Sequence, residues 1–576
     1  MPSNKSIYYL SVQTKTALHV GTMAGANDVS DSLFRRDAQG RLVLPGTSIA
    51  GAIRSHLTRL MPAMTRLVPR HICDALSGTE KQDEQGKPLA CGCIICHLMG
   101  DIRPLNEIRS AVTSPEELER LNGRASRLIV HDAIIEPEQT HIRDSVGIDR
   151  TTGAAARAAS AKFDFETIPI GTKLDIVLEL EDADDIDRYL LNLVLYEWGE
   201  GRLRFGGNKS RGTGVLMLSE VQITEFALNN SSGLMTFLRR NSEQHKPTSK
   251  PYTVTVPDRT YHGSYSPAPG SVQSWLTIDF DLQAQGFFLT NDTTQATAEG
   301  YDHKSLLFLP GAGVRGAMRS QAERIARTLV NLRVDNEDDF LKHCPAPNPF
   351  VTRGRIESSA ARIRQQAPDR RTDAESYDLA EQLFGSVDWG SRLAVEDAPL
   401  AGEPTWKKLD FVAIDRFTGG AADGAKFDAY ALWKPSFRCR LHLEAPQNWE
   451  IGWLLYVLKD FIDGRVPVGF GAAKGFGDVR LENLQLTLGY AYPEAVRSDS
   501  VQLPDLPKDG DTFFLEESFT GWDEIIQTGW LEAWNTILEV YEVAVPHTQS
   551  HDPYWSASTS ISQLYRKETA IHDFLK

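Results

Sequence analysis

Apolar residues recur along this chain in two rhythms, one alternating and one helical, and the rhythms come twice in the same order. Ile7 to Thr14 alternates like a half-buried strand. Leu42 to Leu44 then leads into the stretch LPGTSIAGAIRSHL (44–57), where Ile49, Ala52, Ile53 and Leu57 fall at helical spacing. The pattern next predicts a strand over Arg127 to Ile135, another over Lys173 to Glu181, and a helix over Asp185 to Trp198 with Leu190, Leu191, Val194 and Leu195 on one face. A last strand follows at Gly212 to Phe226. The order strand, helix, strand, strand, helix, strand is the split βαβ plan, an α+β arrangement in which helices cover one face of an antiparallel sheet.

The second half repeats the plan. LPGAGVRGAMRSQA (309–322) answers the first helix, RLAVEDA (392–398) answers RLIVHDA (127–133), and AIDRFTGGAADGAKFDAY (413–430) answers the small-residue segment GIDRTTGAAARAASAKFDF (147–165). GFGAAKGFG (469–477) answers GGNKSRGTG (206–214). Agreement of four motifs in order and spacing makes an internal duplication the natural reading. The boundaries that follow are a first domain at 1–228, a Pro/Ser-rich linker at 229–273, a second domain at 274–490 and a helical extension at 491–576 that packs as a cap or docks a partner.

The 576 residues carry 41% hydrophobic and 24% charged side chains, so neither disorder nor a fibrous fold is indicated. No apolar run is long enough to span a membrane, and the first residues lead straight into a strand, which together predict a cytoplasmic protein. Four of six cysteines fall in one short segment, which suits a metal better than a disulfide framework. Cys73 and the cluster Cys91, Cys93, Cys96 predict a tetrahedral structural zinc site in an insertion at about 71–97, with His71 or His97 as possible replacements for one thiolate. Cys344 and Cys439 stand alone.

A net charge of −16 argues against nucleic acid, but the acids crowd into a few stretches, whereas 201–214 carries Arg202, Arg204, Lys209 and Arg211 with none. Glycine loops admit phosphates to backbone N–H groups, with Lys209, Arg211 and Lys474 neutralising charge. The Gly-studded starts of the two LPG helices suit a phosphate in the same way.

These motifs resemble the RAMP proteins, which form the backbone of type III CRISPR effector complexes. The resemblance spans roughly residues 5 to 490 and rests on the PG-helix, the IDR-T-G segment with its downstream AKF, and the terminal glycine loop. Two fused copies look like the double backbone subunit of a type III-D complex. The resemblance implies two tandem ferredoxin-like (RRM-like) domains, each gripping CRISPR RNA and displacing one nucleotide with a β-hairpin thumb. Arg54, Arg150, Lys162, Arg204, Lys209, Arg211, Arg315, Arg319, Arg416, Lys426 and Lys474 are the RNA contacts it implies. Its partners would be CRISPR RNA, complementary target RNA, a large polymerase-like subunit and other RAMP backbone subunits, with no membrane.

The resemblance also implies an endoribonuclease. Target-cleaving members carry one aspartate in the loop after the first strand, and Asp31 occupies that position, with Asp28 nearby. Such a carboxylate positions a divalent Mg or Mn ion, or accepts the proton of a target 2′-OH that attacks the adjacent phosphate. In the second repeat the same count back from Gly311 reaches Ala296, with Asp292, Glu299 and Asp302 in the vicinity, so that repeat is expected to be inactive or to use a displaced acid. Two other readings stay open: a structural RNA-binding subunit that needs no Asp31, and a CRISPR RNA processing endoribonuclease that uses His19.

Overall fold

A computed structural model describes residues 3–22, 30–60, 94–100, 125–136, 139–148, 162–239, 249–257, 274–291, 296–297, 299–346, 358–491 and 515–547. In the first half, β1 (Asn4–Thr14), α1 (Gly46–Leu60), β2 (Leu128–Val130), β3 (Lys173–Glu181), α2 (Asp185–Gly199) and β4 (Leu216–Ala227) follow in order. All neighbours are antiparallel, and the sheet runs β2-β3-β1-β4. Leu174, Ile176, Leu178 and Leu180 alternate inward on β3 and meet Leu190, Leu191, Val194 and Leu195 of α2 and Ile49, Ile53 and Leu57 of α1 in one core.

The second half gives β5 (Ser274–Ala284), α3 (Gly311–Arg333), β6 (Leu393–Val395), β7 (Ser436–Glu444), α4 (Asn448–Ile462) and β8 (Val479–Tyr490), and the sheet order is β6-β7-β5-β8. The helices that follow the third strand of each repeat start alike. Asp184 and Asp187 form a capping box on α2, and Gln447 and Glu450 form one on α4. The buried acid of each box is also held by the arginine that opens the second strand, Arg127 on Asp187 at 2.9 Å and Arg392 on Glu450.

Two further segments pack onto the repeats that precede them. Part of the stretch read as a linker belongs to the first repeat: Lys250–Pro251 pairs with the edge of β4, Tyr252 stacks edge-on against Tyr8, and Asn192 bonds the main chain of Thr255. The C-terminal extension belongs to the second. β9 (Leu515–Thr520) pairs with β8, and α5 (Trp530–Val540) lies on α4 with the Trp453 and Trp534 rings stacked at 4.4 Å. Gly452 permits this approach, because a Cβ there would meet the Trp530 carbonyl oxygen at 2.0 Å. Indole size, rather than any motif, carries this packing, and composition gives no address for it.

The repeats meet through ion pairs. Glu396, buried, holds Lys15 at 3.0 Å and Arg204 at 3.1 Å. Asp397 holds Arg143 at 2.7 Å, and that guanidinium lies over the Phe308 ring. Arg202 binds Glu197 and Glu516 and stacks over Trp275, while Arg59 pairs with Glu444. Among the described residues no helix is long and apolar enough to cross a membrane.

Candidate nucleic-acid interface and acid pair

In the first repeat a hairpin, His141–Val146 with Lys162–Thr167, positions the site. Its second strand pins the loop that follows β1. Glu166 N–H donates to the Ser32 carbonyl at 2.9 Å, Glu166 Oε2 accepts from Phe34 N–H at 2.7 Å, and Oε1 faces Arg36 at 3.3 Å. Phe34 is buried beneath, so the loop has one seating, with Asp31 at its exposed end. There Asp31 N–H donates to Asp164 Oδ1 at 2.8 Å and Asp164 N–H donates to Asp31 Oδ2 at 3.0 Å. Each carboxylate is thus fixed by the other's main chain and keeps a second oxygen outside this clasp. Asp144 stands directly across the hairpin from Asp164, with Lys162 Nζ 3.9 Å from its Oδ1. Like charges opposed on neighbouring strands destabilise a hairpin.

The same costly arrangement recurs in the second repeat, on the hairpin Trp406–Ile414 with Ala421–Trp433. Asp302 N–H donates to Asp428 Oδ1 at 2.9 Å and Asp428 N–H donates to Asp302 Oδ2 at 2.8 Å. Asp410 stands across from Asp428, and Lys426 Nζ lies 3.5 Å from Asp410. The amide of Asp302 holds the Asp428 carboxyl below its usual range, with Lys408 adding to the shift. Asp302 precedes Ser305, which bridges to Asn291, by the same three residues that separate Asp31 from Phe34, which bridges to Gly21. The count from the PG-helix misses Asp302 because 9 positions separate it from Gly311, against 15 between Asp31 and Gly46. The shared KFD at 162–164 and 426–428 is the sequence signal that locates it.

The two sites are not identical. Lys408 Nζ sits 2.9 Å from Asp428 Oδ2, where the first repeat has the exposed Ile142. His303 takes the place of Ser32 and lies against Phe427 and Phe470. His19, in contrast, is buried, has its Nδ1 2.7 Å from the Glu166 carbonyl and its Nε2 3.4 Å from Ser32 Oγ, and burial lowers its pKa. That is the environment of a histidine that braces the loop.

A glycine loop meets each hairpin from its other side. In both loops a single 3₁₀ turn is flanked by left-handed residues, Asn208 and Gly212 in one, Gly471 and Gly475 in the other. The cation at the end of the turn lies over the phenylalanine of KFD, Arg211 over Phe163 at 5.0 Å and Lys474 over Phe427 at 4.5 Å. Adjacent strand residues face opposite ways, so the cation and the acid pair lie on opposite sides of the hairpin strand. Burial lowers the pKa of Lys209, with Arg59 adding to the effect, and that of Arg211. Lys162, Lys426 and Arg416 are exposed, and Lys209 keeps accessible surface along its side chain although the groups around its ammonium partly desolvate it. At the tip of the second hairpin Asp415 Oδ1 accepts from the amides of Phe417 and Thr418, and the Phe417 ring is 98% exposed.

Several expected contacts are used up within the protein. The LPG helix starts do not offer a free phosphate site: Asp132 Oδ1 accepts Gly46 N–H at 2.7 Å, and Asp397 Oδ1 accepts Gly311 N–H at 3.0 Å. A carboxylate already sits where the helix dipole would hold an anion. Arg54 donates to the Met99 carbonyl at 2.7 Å and to Gly100, Arg319 donates to the Gly385 carbonyl at 2.9 Å, and Arg315 donates to the Phe384 carbonyl. These arginines cap the ends of the short helices Ile94–Met99 and Leu379–Phe384. Arg204 is the buried partner of Glu396. Arg150, Asp28, Cys73, Cys91 and Cys93 lie outside the described residues. Cys96 is buried, with Arg54 Nη1 3.7 Å from its sulfur, and neighbouring His97 directs Nδ1 at Asp187, 3.2 Å away.

The duplicated fold agrees with the comparisons with known proteins. The RAMP superfamily profile matches residues 11–216 and again 291–480, so the chain belongs to the RAMP superfamily and carries two fused copies of its domain. A relative, the CRISPR system Cms endoribonuclease Csm3 of Methanocaldococcus jannaschii, is 25% identical over 233 residues, covering 37% of this chain and 77% of the relative.

Proposed function

We propose that the chain is a backbone subunit of a type III CRISPR complex, holds CRISPR RNA across both repeats and cleaves complementary target RNA at Asp31. The observation that carries this reading is the clasped pair Asp31–Asp164 on one side of a hairpin strand whose other side presents Arg211 on Phe163. Two nucleic-acid strands can pass such a hairpin, a guide against the cation and glycine loop and a target against the acids. The sheet order in each repeat, with the fourth strand beside the first and the second at the edge, supports the ferredoxin-like assignment. The relative's name, an endoribonuclease of a CRISPR system, supports the activity. Further RAMP subunits and a large polymerase-like subunit are the partners this role requires, in the cytoplasm.

In the step itself the target 2′-oxygen bonds to the adjacent phosphorus and the bond from phosphorus to the 5′-oxygen breaks. The 2′-proton passes to Asp31 or to a water it orients, and the 5′-oxygen takes a proton from water, leaving a 2′,3′-cyclic phosphate and a 5′-OH. Asp31 and Asp164 would hold a divalent cation there, and hard carboxylate oxygens suit Mg or Mn. Such an ion would supply charge for the phosphate oxygens in the transition state. The zinc expected of Cys73, Cys91, Cys93 and Cys96 would brace the insertion and takes no part in cleavage.

The test is Asp31→Asn in the assembled complex. An asparagine oxygen can still accept the Asp164 N–H, so the loop stays seated while the charge is lost. One cut should fall by about 10²–10⁴-fold with guide and target affinity unchanged. A wild-type rate at every cut would leave the structural-subunit reading in its place. His19 as an acid–base for CRISPR RNA processing has no support in its buried, braced setting.

A further inference from the structure

We propose that the second repeat is a second cleavage centre with Asp302 as its catalytic carboxylate; the inference rests on the reading of Asp31 above and extends it to a residue whose spacing from the PG-helix conceals it. Four relations are duplicated, the first of them atom for atom. Asp302 Oδ2 accepts Asp428 N–H and Asp428 Oδ1 accepts Asp302 N–H, the same oxygens used by Asp31 and Asp164. The loop residue three positions later bridges the segment after the first strand in both repeats. The opposed pair Asp410/Asp428, with Lys426 beside it, repeats Asp144/Asp164 with Lys162. Lys474 lies on Phe427 as Arg211 lies on Phe163.

Physical cost makes the duplication informative. Each repeat tolerates three aspartates around one hairpin, including a directly opposed pair that costs stability. A repeat serving only as scaffold could exchange the opposed Asp410 for a neutral residue and relieve that repulsion, whereas Asp302 and Asp428 are each held by the other's main chain. The exposure agrees as well: Asp302 is exposed and Asp428 half-buried, as are Asp31 and Asp164. A loop six positions shorter therefore still delivers the acid to the same place, because its seat is the hairpin and not the helix.

What differs lies around the acid. Lys408 neutralises the free oxygen of Asp428, so the second pair presents less negative charge than the first. His303 replaces Ser32 immediately after the acid. The chemistry assigned to Asp302 is the same transesterification: the 2′-oxygen bonds to phosphorus, the bond to the 5′-oxygen breaks, the 2′-proton goes to Asp302 or a water it orients, and water protonates the departing 5′-oxygen.

The experiment compares the wild-type chain, Asp31→Asn, Asp302→Asn and the double variant, each in the complete complex with one end-labelled complementary RNA. Guide and target affinities are measured alongside. The inference expects Asp302→Asn to abolish one cut, different from the cut lost in Asp31→Asn and displaced from it by one repeat's length of guide, with affinities unchanged. The double variant should lose both. If Asp302→Asn yields every wild-type fragment while Asp31→Asn loses one, the second repeat is silent and this inference is overturned with the first reading intact. If Asp31→Asn also yields every fragment, it is the nuclease reading itself that fails. Asp302→Ala, which removes the acceptor for Asp428 N–H, guards against a clasp that asparagine preserves too well: the inference requires it to lose the same cut, and an unchanged pattern overturns it.

Discussion

Replacing Glu396 by alanine should loosen the two repeats from one another. Its carboxylate is almost wholly buried and holds Lys15 at 3.0 Å and Arg204 at 3.1 Å, both from the other repeat. Burial alone would raise its pKa, but Arg204 and then Lys15 bring it below the usual range, so the pair is charged at neutral pH. Removing one partner of a buried ion pair leaves the other charged in a low dielectric and costs about 3–5 kcal/mol. Arg204 is the stranded partner, since its side chain is only 8% exposed and its Nε and Nη1 already lack acceptors. The neighbouring contact of Arg143 with Asp397 shares the load, so the expected loss is toward the lower figure. Urea unfolding of Glu396→Ala, with limited proteolysis to see whether the first repeat comes free, measures this. Glu396→Gln should lose less, because its amide oxygen still accepts one hydrogen bond. A loss under about 1 kcal/mol for alanine would refute the claim that this pair joins the repeats, since that is the range of exposed pairs.

Burial, with Arg204, Arg202, Arg59 and His56 around it, keeps His442 neutral well below its ordinary pKa of 6.5. The unfolded state then binds the extra proton, so stability is present above pH 6.5 and falls as pH drops below it, and His442→Gln should flatten that slope in pH-dependent melts. Arg211→Ala or Lys474→Ala should weaken guide binding and lower the steepness of its salt dependence, because each is assigned a phosphate; an unchanged salt slope would contradict the assignment. Lys408 sits on a carboxylate oxygen of Asp428, and among the described residues the first repeat has Ile142 in that place, so a divalent titration should half-saturate the Asp31 cut at a lower concentration than the Asp302 cut, and Lys408→Met should bring the two midpoints together. Elemental analysis should find about one zinc per chain, removed by Cys93→Ser without unfolding the second repeat.

The duplication and the order of elements were legible in the sequence, because strand and helix periods and glycine-bearing turns are local signals, whereas Asp31 is singled out by the family resemblance alone. Tertiary use of charge was not legible. Arg54 and Arg319 read as phosphate contacts, yet each reaches a carbonyl at the end of a short helix that lies far off in sequence. Asp132 and Asp397 sit in an HDA and an EDA motif that signals only a strand end, and nothing local says that they fill the starts of the PG-helices. Asp302 does not fall at the position counted from the PG-helix, because 9 positions separate it from Gly311 against 15 between Asp31 and Gly46. The clasp is made across the hairpin, and KFD, not PG, keeps register with it.

Nuclease footprinting of CRISPR RNA on the purified chain tests the central claim most directly, because it asks both whether this protein binds the guide and whether the two repeats do so alike. Two adjacent protected segments of equal length, one lost on Arg211→Ala and the other on Lys474→Ala, are predicted. A single protected segment, or none above that of an unrelated RNA, would contradict the account.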